Sequence, residues 1–175
     1  MIDFSNTDYL KTGNDKQRRA HAVLGKILPL LSDYSPVLVG TIPIAIDIDS
    51  SDLDLACCYR DKSEFVNTLI AAFNHRDGFH LQQTTTNGHQ TIVSAFSIGG
   101  FEVEIFGQPI PVQQQNGYRH MLIEYKILQR KGETFRRQVI ALKESGYKTE
   151  PAFAHLLGLE GDPYQKLLDY ESVLE

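Results

Sequence analysis

Two glycine-containing turn pairs, Asn87-Gly88 and Gly99-Gly100, cut residues 79–106 into three extended stretches. Both pairs favour tight hairpins, so the spacing predicts strands near Phe79 to Thr86, Gln90 to Ile98 and Phe101 to Phe106, paired antiparallel. Val37-Leu38-Val39, closed by Gly40, and Asp52 to Tyr59 read as two further strands. Ile44, Ile46 and Ile48 alternate with Ala45, Asp47 and Asp49, which predicts an extended segment there too. A chain with this meander must place helices against a sheet.

The helices are marked as clearly. Asn14 with Gln17 forms a capping-box pattern ahead of Ala20, Val23, Leu24, Ile27, Leu30 and Leu31, with Pro29 able to kink or shorten the helix. Asp61 with Glu64 opens a second helix, whose apolar face is Phe65, Val66, Leu69, Ile70 and Phe73. Beyond the loop Gln108 to Gln115, the one plausible subdomain boundary, the chain turns helical. Tyr118, Met121, Leu122, Tyr125 and Leu128 make one face, and Phe135, Val139, Ile140 and Leu142 the next. Gly146 stops that helix, Pro151 suits the first turn of a short one, and Asp162-Pro163 opens the last. The order predicts an α+β fold.

Asp52 and Asp54 lie two apart on a strand and leave the same face, while Leu53 and Leu55 point into the core. Two such carboxylates repel each other unless a cation sits between them, and oxygen ligands suit Mg²⁺ or Mn²⁺. Upstream, Gly40-Thr41 offers backbone amides and a hydroxyl to a phosphate. Ser51 stands at the entry to the second strand. Downstream, Glu102 and Glu104 share a face of the strand 101–106, and either supplies a third carboxylate for a two-metal site.

This pattern of Gly-Thr, spacer, Ser-Asp-Leu-Asp-Leu and later acidic strand resembles the nucleotidyltransferase superfamily that includes polymerase β and the aminoglycoside nucleotidyltransferases. Val37 to Asp54, Phe101 to Gln108, Gly117 to Tyr125 and Thr149 to Tyr164 together resemble a bacterial domain-of-unknown-function family, grouped with nucleotidyltransferase-like proteins. The resemblance implies a mixed β-sheet flanked by helices, with residues 1–108 as the α/β core and 109–175 as a helical subdomain packed on it. It implies transfer of a nucleoside monophosphate from a nucleoside triphosphate to a hydroxyl. Gly40 and Thr41 would then contact phosphate, Asp52 and Asp54 would bind metal, and Glu104, by preference over Glu102, would be the third carboxylate.

The spacer Ile42 to Ser50 has no lysine or arginine, where many relatives place a basic residue facing the triphosphate. Arg119 and His120, near the start of the helix after the proline loop, are candidates to compensate, and Lys126 is a weaker one. Each also has a plain reading as a solvated, capping or packing residue. The alternative function is a nucleotidyltransferase-fold binding or regulatory module without turnover.

The net charge of −5 disfavours long nucleic acid as acceptor and favours a small molecule or a protein hydroxyl. The arginine pairs Arg18-Arg19 and Arg136-Arg137 read as solvated helix faces. Cys57 and Cys58 are adjacent on a strand, so they point apart and read as free thiols in a reduced compartment. No signal-peptide pattern and no membrane-length apolar run is apparent, so a cytoplasmic protein is expected. No Walker-type loop or nucleophile elbow occurs.

Overall fold

The computed structural model describes residues 2–174. A five-stranded mixed sheet carries the fold, with β1 at Val37–Val39, β2 at Leu53–Cys58, β3 at His80–Thr86, β4 at His89–Ile98 and β5 at Phe101–Gln108. Spatial order is β1-β2-β5-β4-β3. All neighbours are antiparallel except β2 and β5, which run parallel down the middle. The crossover between them contains α2 (Lys62–Phe73) and the hairpin β3-β4.

Alternation along β2 and β5 builds two separate apolar layers. Leu53, Leu55, Val103 and Ile105 face α1 (Asp15–Ile27) and α2, where Leu24, Ile27, Phe65, Leu69 and Phe73 complete one core. Val37, Val39 and Ala56 face the opposite way, against α3 (Asn116–Glu144), α4 (Thr149–Leu157) and α5 (Pro163–Tyr170). Met121, Ile127, Val139, Phe153 and Leu167 fill that second core. The sheet is thus covered by helices on both faces, and the α+β class expected from the sequence is the one observed.

Helix ends follow their local chemistry. Asn14 and Gln17 form a reciprocal capping box at the start of α1. Pro29 ends α1 early, and Leu28–Tyr34 continue as a 3₁₀ turn. At α2, the Asp61 side chain accepts the Glu64 N–H. Gly132, at φ 78° and ψ −171°, breaks α3 into the two helical stretches that the change of apolar face had indicated. Asp162 caps α5, whose first residue is Pro163.

One expected element is different. Ile44 to Ile48 is not extended: residues 40–50 form consecutive turns, with Ala45 at φ 56°. Ile42 enters the first core, while Ile44 and Ile46 enter the second. The isoleucine alternation therefore reflects a loop wedged between two cores, not a strand pleat. The loop is held through its carbonyls. Lys16 Nζ donates to Ile48 O (2.6 Å) and Asp49 O (2.9 Å), Gln17 to Ile42 O (2.8 Å), and Lys143 Nζ to Ile46 O (2.7 Å). Arg136 donates to Ile44 O and Ala45 O, so it is not the solvated residue expected from its pairing with Arg137.

Gly107 on β5 sets how closely α2 lies on the sheet. A Cβ there would collide with the buried Phe65 ring. Gly107→Ala is expected to destabilise the fold by about 2–3 kcal/mol, because a packed aromatic must move. Thermal unfolding should show a midpoint lower by roughly 5–10 °C, and an unchanged midpoint contradicts this packing.

Candidate active-site cleft

The parallel register of β2 on β5 pairs Asp54 with Glu104. Continuing across the sheet, Asp54 is opposite Val39 of β1, Glu104 is opposite Ala95 of β4, and Ala95 is opposite His80 of β3. Val39, Asp54, Glu104, Ala95 and His80 thus form one row on one face. The carboxylates occupy its centre. Asp52 lies just ahead of the first paired residue of β2, Leu53.

This row forms the floor of a cleft of about 820 Å³. Gly40, Thr41, Ser51, Asp52, Asp54 and Glu104 line its sheet side. Gly40 ends β1 at φ 79°, and a Cβ on it would stand 2.6 Å from Asp54 Oδ2. Only glycine lets the backbone pass so near that carboxylate. Thr41 Oγ1 donates to Ser51 Oγ (3.2 Å), which accepts the Ile48 N–H (2.9 Å), so these hydroxyls close the loop beside the aspartates. Glu102 is directed elsewhere, accepting a hydrogen bond from Ser97 Oγ.

The opposite wall is helical. His120, Met121 and Glu124 of α3 line it, with Lys143, Lys148, Glu150 and Tyr164 from the α3 end, α4 and the start of α5. His120 Nε2 lies 3.0 Å from Tyr164 O, and its Nδ1 is 3.5 Å from Glu150 Oε1. Arg119 does not line the cleft; it pairs with Glu171 at 2.8 Å. Lys126 does not line it either. Four ionisable residues of this wall escape a sequence reading: Glu124, Lys143, Lys148 and Glu150. The available signal was a charge on an otherwise apolar helix face. Glu124 follows His120 by four residues, one turn on, beside Met121, Tyr125 and Leu128.

Charge crowding marks the floor. Burial, then Asp52, Glu104 and Glu150, push the Asp54 carboxyl up to about 7, against a smaller opposing effect of Lys143. Glu104 is raised as well, first by desolvation and then by Asp52, with His80 acting oppositely. On the helical wall, burial and Glu150 raise Glu124 well above the ordinary carboxylate range. Burial lowers Lys143 to about 8, partly offset by Glu124, Asp47 and Glu150. Such paired, oppositely displaced groups in a cleft are characteristic of working sites. Among the described residues, no group of three or more His, Cys, Asp or Glu side chains is placed to hold a metal ion together.

A family profile described as a domain of unknown function (DUF4269) matches residues 23–170. No curated protein matches the sequence. Solved structures share the fold. The GLD-2/RNP-8 complex aligns at TM-score 0.54 and 15% identity, covering 86% of this chain and 60% of that one. A cytoplasmic RNA terminal U-transferase aligns at 0.53 and 18%, covering 78% and 44%. The Cid1 poly(U) polymerase with MgGTP aligns at 0.52 and 18%, covering 78% and 46%. The chain therefore spans about half the length of these proteins, and the likeness establishes the fold. No helix among the described residues is long and apolar enough to cross a membrane.

Asp54 gives a pH test of the cleft without metal. Its folded pKa lies above the unfolded value of 3.8. The stability it contributes is therefore complete below that value and is lost as pH rises through about 7. In chelator, Asp54→Asn should gain stability over wild type at pH 8.5 relative to pH 4, by about 2 kcal/mol after allowing for solvent in the open cleft. Equal differences at both pH values on thermal unfolding would show that Asp54 titrates normally.

Proposed function

The chain belongs to the DUF4269 family, and from that premise we propose that it is a metal-dependent nucleotidyltransferase. It moves a nucleoside monophosphate from a nucleoside triphosphate to the hydroxyl of a small molecule or a protein. The observation that carries this reading is the register that puts Asp54 beside Glu104 in a cleft shared with Asp52 and the Gly40-Thr41 turn. A cytoplasmic RNA terminal U-transferase and the Cid1 poly(U) polymerase, seen with MgGTP or a UTP analogue bound, share the fold, and they make the triphosphate the natural donor. An overall charge of −5 and an acidic floor oppose a long polyanionic acceptor. The cytoplasm, with its nucleotides, is the compartment this reading implies.

The donor set fits Mg²⁺ or Mn²⁺. Hard cations of this kind take one or two protein carboxylates and leave the remaining positions to water and phosphate, so a ready-made group of three protein ligands is not required. Burial and then neighbouring carboxylates raise Asp54 and Glu104, and a divalent cation beside them would favour their ionised forms. Asp52 and Asp54 would hold the metal, with Glu104 beside Asp54 as the third carboxylate of the site. When bound, the metal neutralises phosphate charge and acidifies the attacking hydroxyl.

The chain's own groups then have definite tasks. Gly40 and Thr41 hold the phosphates at the end of β1, and Ser51 fixes the turn that presents them. Glu104 takes the proton of the acceptor hydroxyl. The hydroxyl oxygen bonds to the α-phosphorus as the bond to the β-phosphate oxygen breaks, and pyrophosphate leaves. Lys143 and Lys148 supply positive charge from the opposite wall, the place left empty by the spacer Ile42 to Ser50. His120 supports that wall through Glu150 and Tyr164.

A second reading keeps the fold without turnover. It is favoured by Lys143 being held by Ile46 O. Differential scanning with Mg²⁺ or Mn²⁺ and each triphosphate separates the two. A dissociation constant a hundredfold below the ligand concentration raises stability by about 2.7 kcal/mol. Wild type should show such a metal-dependent rise, and Asp52→Ala with Asp54→Ala should remove it, along with pyrophosphate release. A wild-type protein indifferent to every metal–triphosphate pair sinks the transferase reading.

A further inference from the structure

The two edges of the sheet are built differently. β1, at one side, is three residues long, buried throughout and entered from Pro36. β3, at the other, runs for seven residues and pairs with β4 without a bulge. Its sequence, His80-Leu81-Gln82-Gln83-Thr84-Thr85-Thr86, contains no lysine, carboxylate or proline. Charges, prolines and bulges are what keep an exposed edge strand from pairing with another chain. On a protein of net charge −5, this edge is also a place where two copies meet without carboxylates facing each other.

The hairpin decides which groups are free. Asn87 (φ 52°) and Gly88 (φ 78°) make a two-residue turn, so Thr86 and His89 exchange the closing hydrogen bonds. Bonded pairs alternate back along the strand from there, and Leu81, Gln83 and Thr85 turn both N–H and C=O away from β4. Among the described residues, no other stretch of backbone takes up these six groups. The one side chain bonded to the β3 backbone, Gln108, reaches Thr86 O.

This pattern is its own complement. An antiparallel copy centred on Gln83 sets Gln83 opposite its mate and Leu81 opposite the second copy's Thr85, which satisfies all six groups of each chain. A shift in either direction carries Leu81 or Thr85 off the end of the strand. A peptide of another protein would need side-chain pockets to be selected, and β3 offers none, since its residues are exposed or half-exposed.

The layer beneath leaves room for the second copy. α2 packs under β4 and β5, through Phe73 on Phe96 (ring centroids 4.5 Å) and Phe65 against Gly107. Joined through β3, the two β4 strands lie about 14 Å apart, beyond the roughly 10 Å that packed helices need. Tyr34 touches Phe65 and Thr68 on the side of α2 toward β2. Ile70, about 200° round the helix from Thr68, points past the β3 edge and is 41% exposed.

We infer that β3 is a homodimer interface, at which two copies of this chain pair antiparallel about Gln83. Their sheets become one, and the two α2 helices lie side by side beneath it with the Ile70 side chains between them. The contact is two-fold symmetric, and β1 is too short and buried to extend it, so assembly closes at two.

Sedimentation velocity over a range of protein concentrations tests this. Wild type should pass from monomer to dimer and no further. Gln83→Lys sets like charges against each other on the axis and should stay monomeric where wild type is dimeric, and Gln83→Glu likewise. Mixing these two variants should restore a dimer, because this register alone places position 83 against itself. Gln83→Cys should cross-link on mild oxidation, with Cα atoms about 5.5 Å apart, whereas Thr85→Cys should stay at the wild-type background. Thermal midpoints equal to that of monomeric wild type report that the variants are folded. A wild type that remains monomeric or assembles beyond two, a dimer indifferent to Gln83→Lys, or a charge mixture that stays apart overturns the inference.

Discussion

The parallel pairing of β2 with β5 is the constraint on which the remainder depends. It is the one parallel contact in the sheet, and it joins strands that a helix and a hairpin separate in the chain. Its register sends Leu53, Leu55, Val103 and Ile105 into one core and Asp54 and Glu104 to the other face. A slip of one residue would reverse every one of these side chains. The apolar half of the register therefore holds two mutually repelling carboxyls side by side. Each buried leucine or isoleucine contributes about 1.5–3 kcal/mol, enough in sum to outweigh the repulsion of a half-solvated acidic pair.

The loop from Gly40 to Asp52 is the second structural necessity. It has to leave the edge strand β1, pass Asp54 and return to β2 with its backbone polar groups satisfied. Lys16, Gln17, Arg136 and Lys143 reach its carbonyls from helices on both faces. This accounts for a spacer with no basic residue of its own. The cations are on α1 and α3, where they fix the loop's shape, and Lys143 meets the cleft from that position. Loop geometry and cleft charge are therefore coupled through a single ammonium.

Much of this was legible in the sequence because local rules decided it. Asn87-Gly88 and Gly99-Gly100 required hairpins, the caps at Asn14 and Asp162 required helix starts, and Asp52 with Asp54 required a shared face. What could not be read was non-local. Nothing in the order of residues states that β5 lies parallel to β2, so Glu104 could be preferred over Glu102 only for its place near the strand end; in the fold, Ser97 engages Glu102 and Asp54 is paired with Glu104. The isoleucine alternation at 44–48 misled because a looped backbone buries Ile44 and Ile46 in one core, which imitates the one-sided burial of a strand. Arg119 and His120 were adjacent in sequence, yet on a helix neighbours diverge by about 100°, so one meets Glu171 and the other the cleft.

The two-core arrangement also explains how such an acidic cleft persists. The core beneath the sheet contains none of the cleft's ionisable residues, whereas the upper core meets the cleft along α3. Charge strain at the floor is borne by the packing of β2 against β5, while Glu124, Lys143 and Glu150 carry a separate strain in the helical layer. That layer is also interrupted, by Gly132 within α3 and by left-handed Gly158 after α4. The floor fixes the metal-binding carboxyls proposed here, while the wall opposite is built from separate helical segments. Affinity and specificity in this fold can thus change by substitution on α3 and α4 while the register that defines the floor stays as it is.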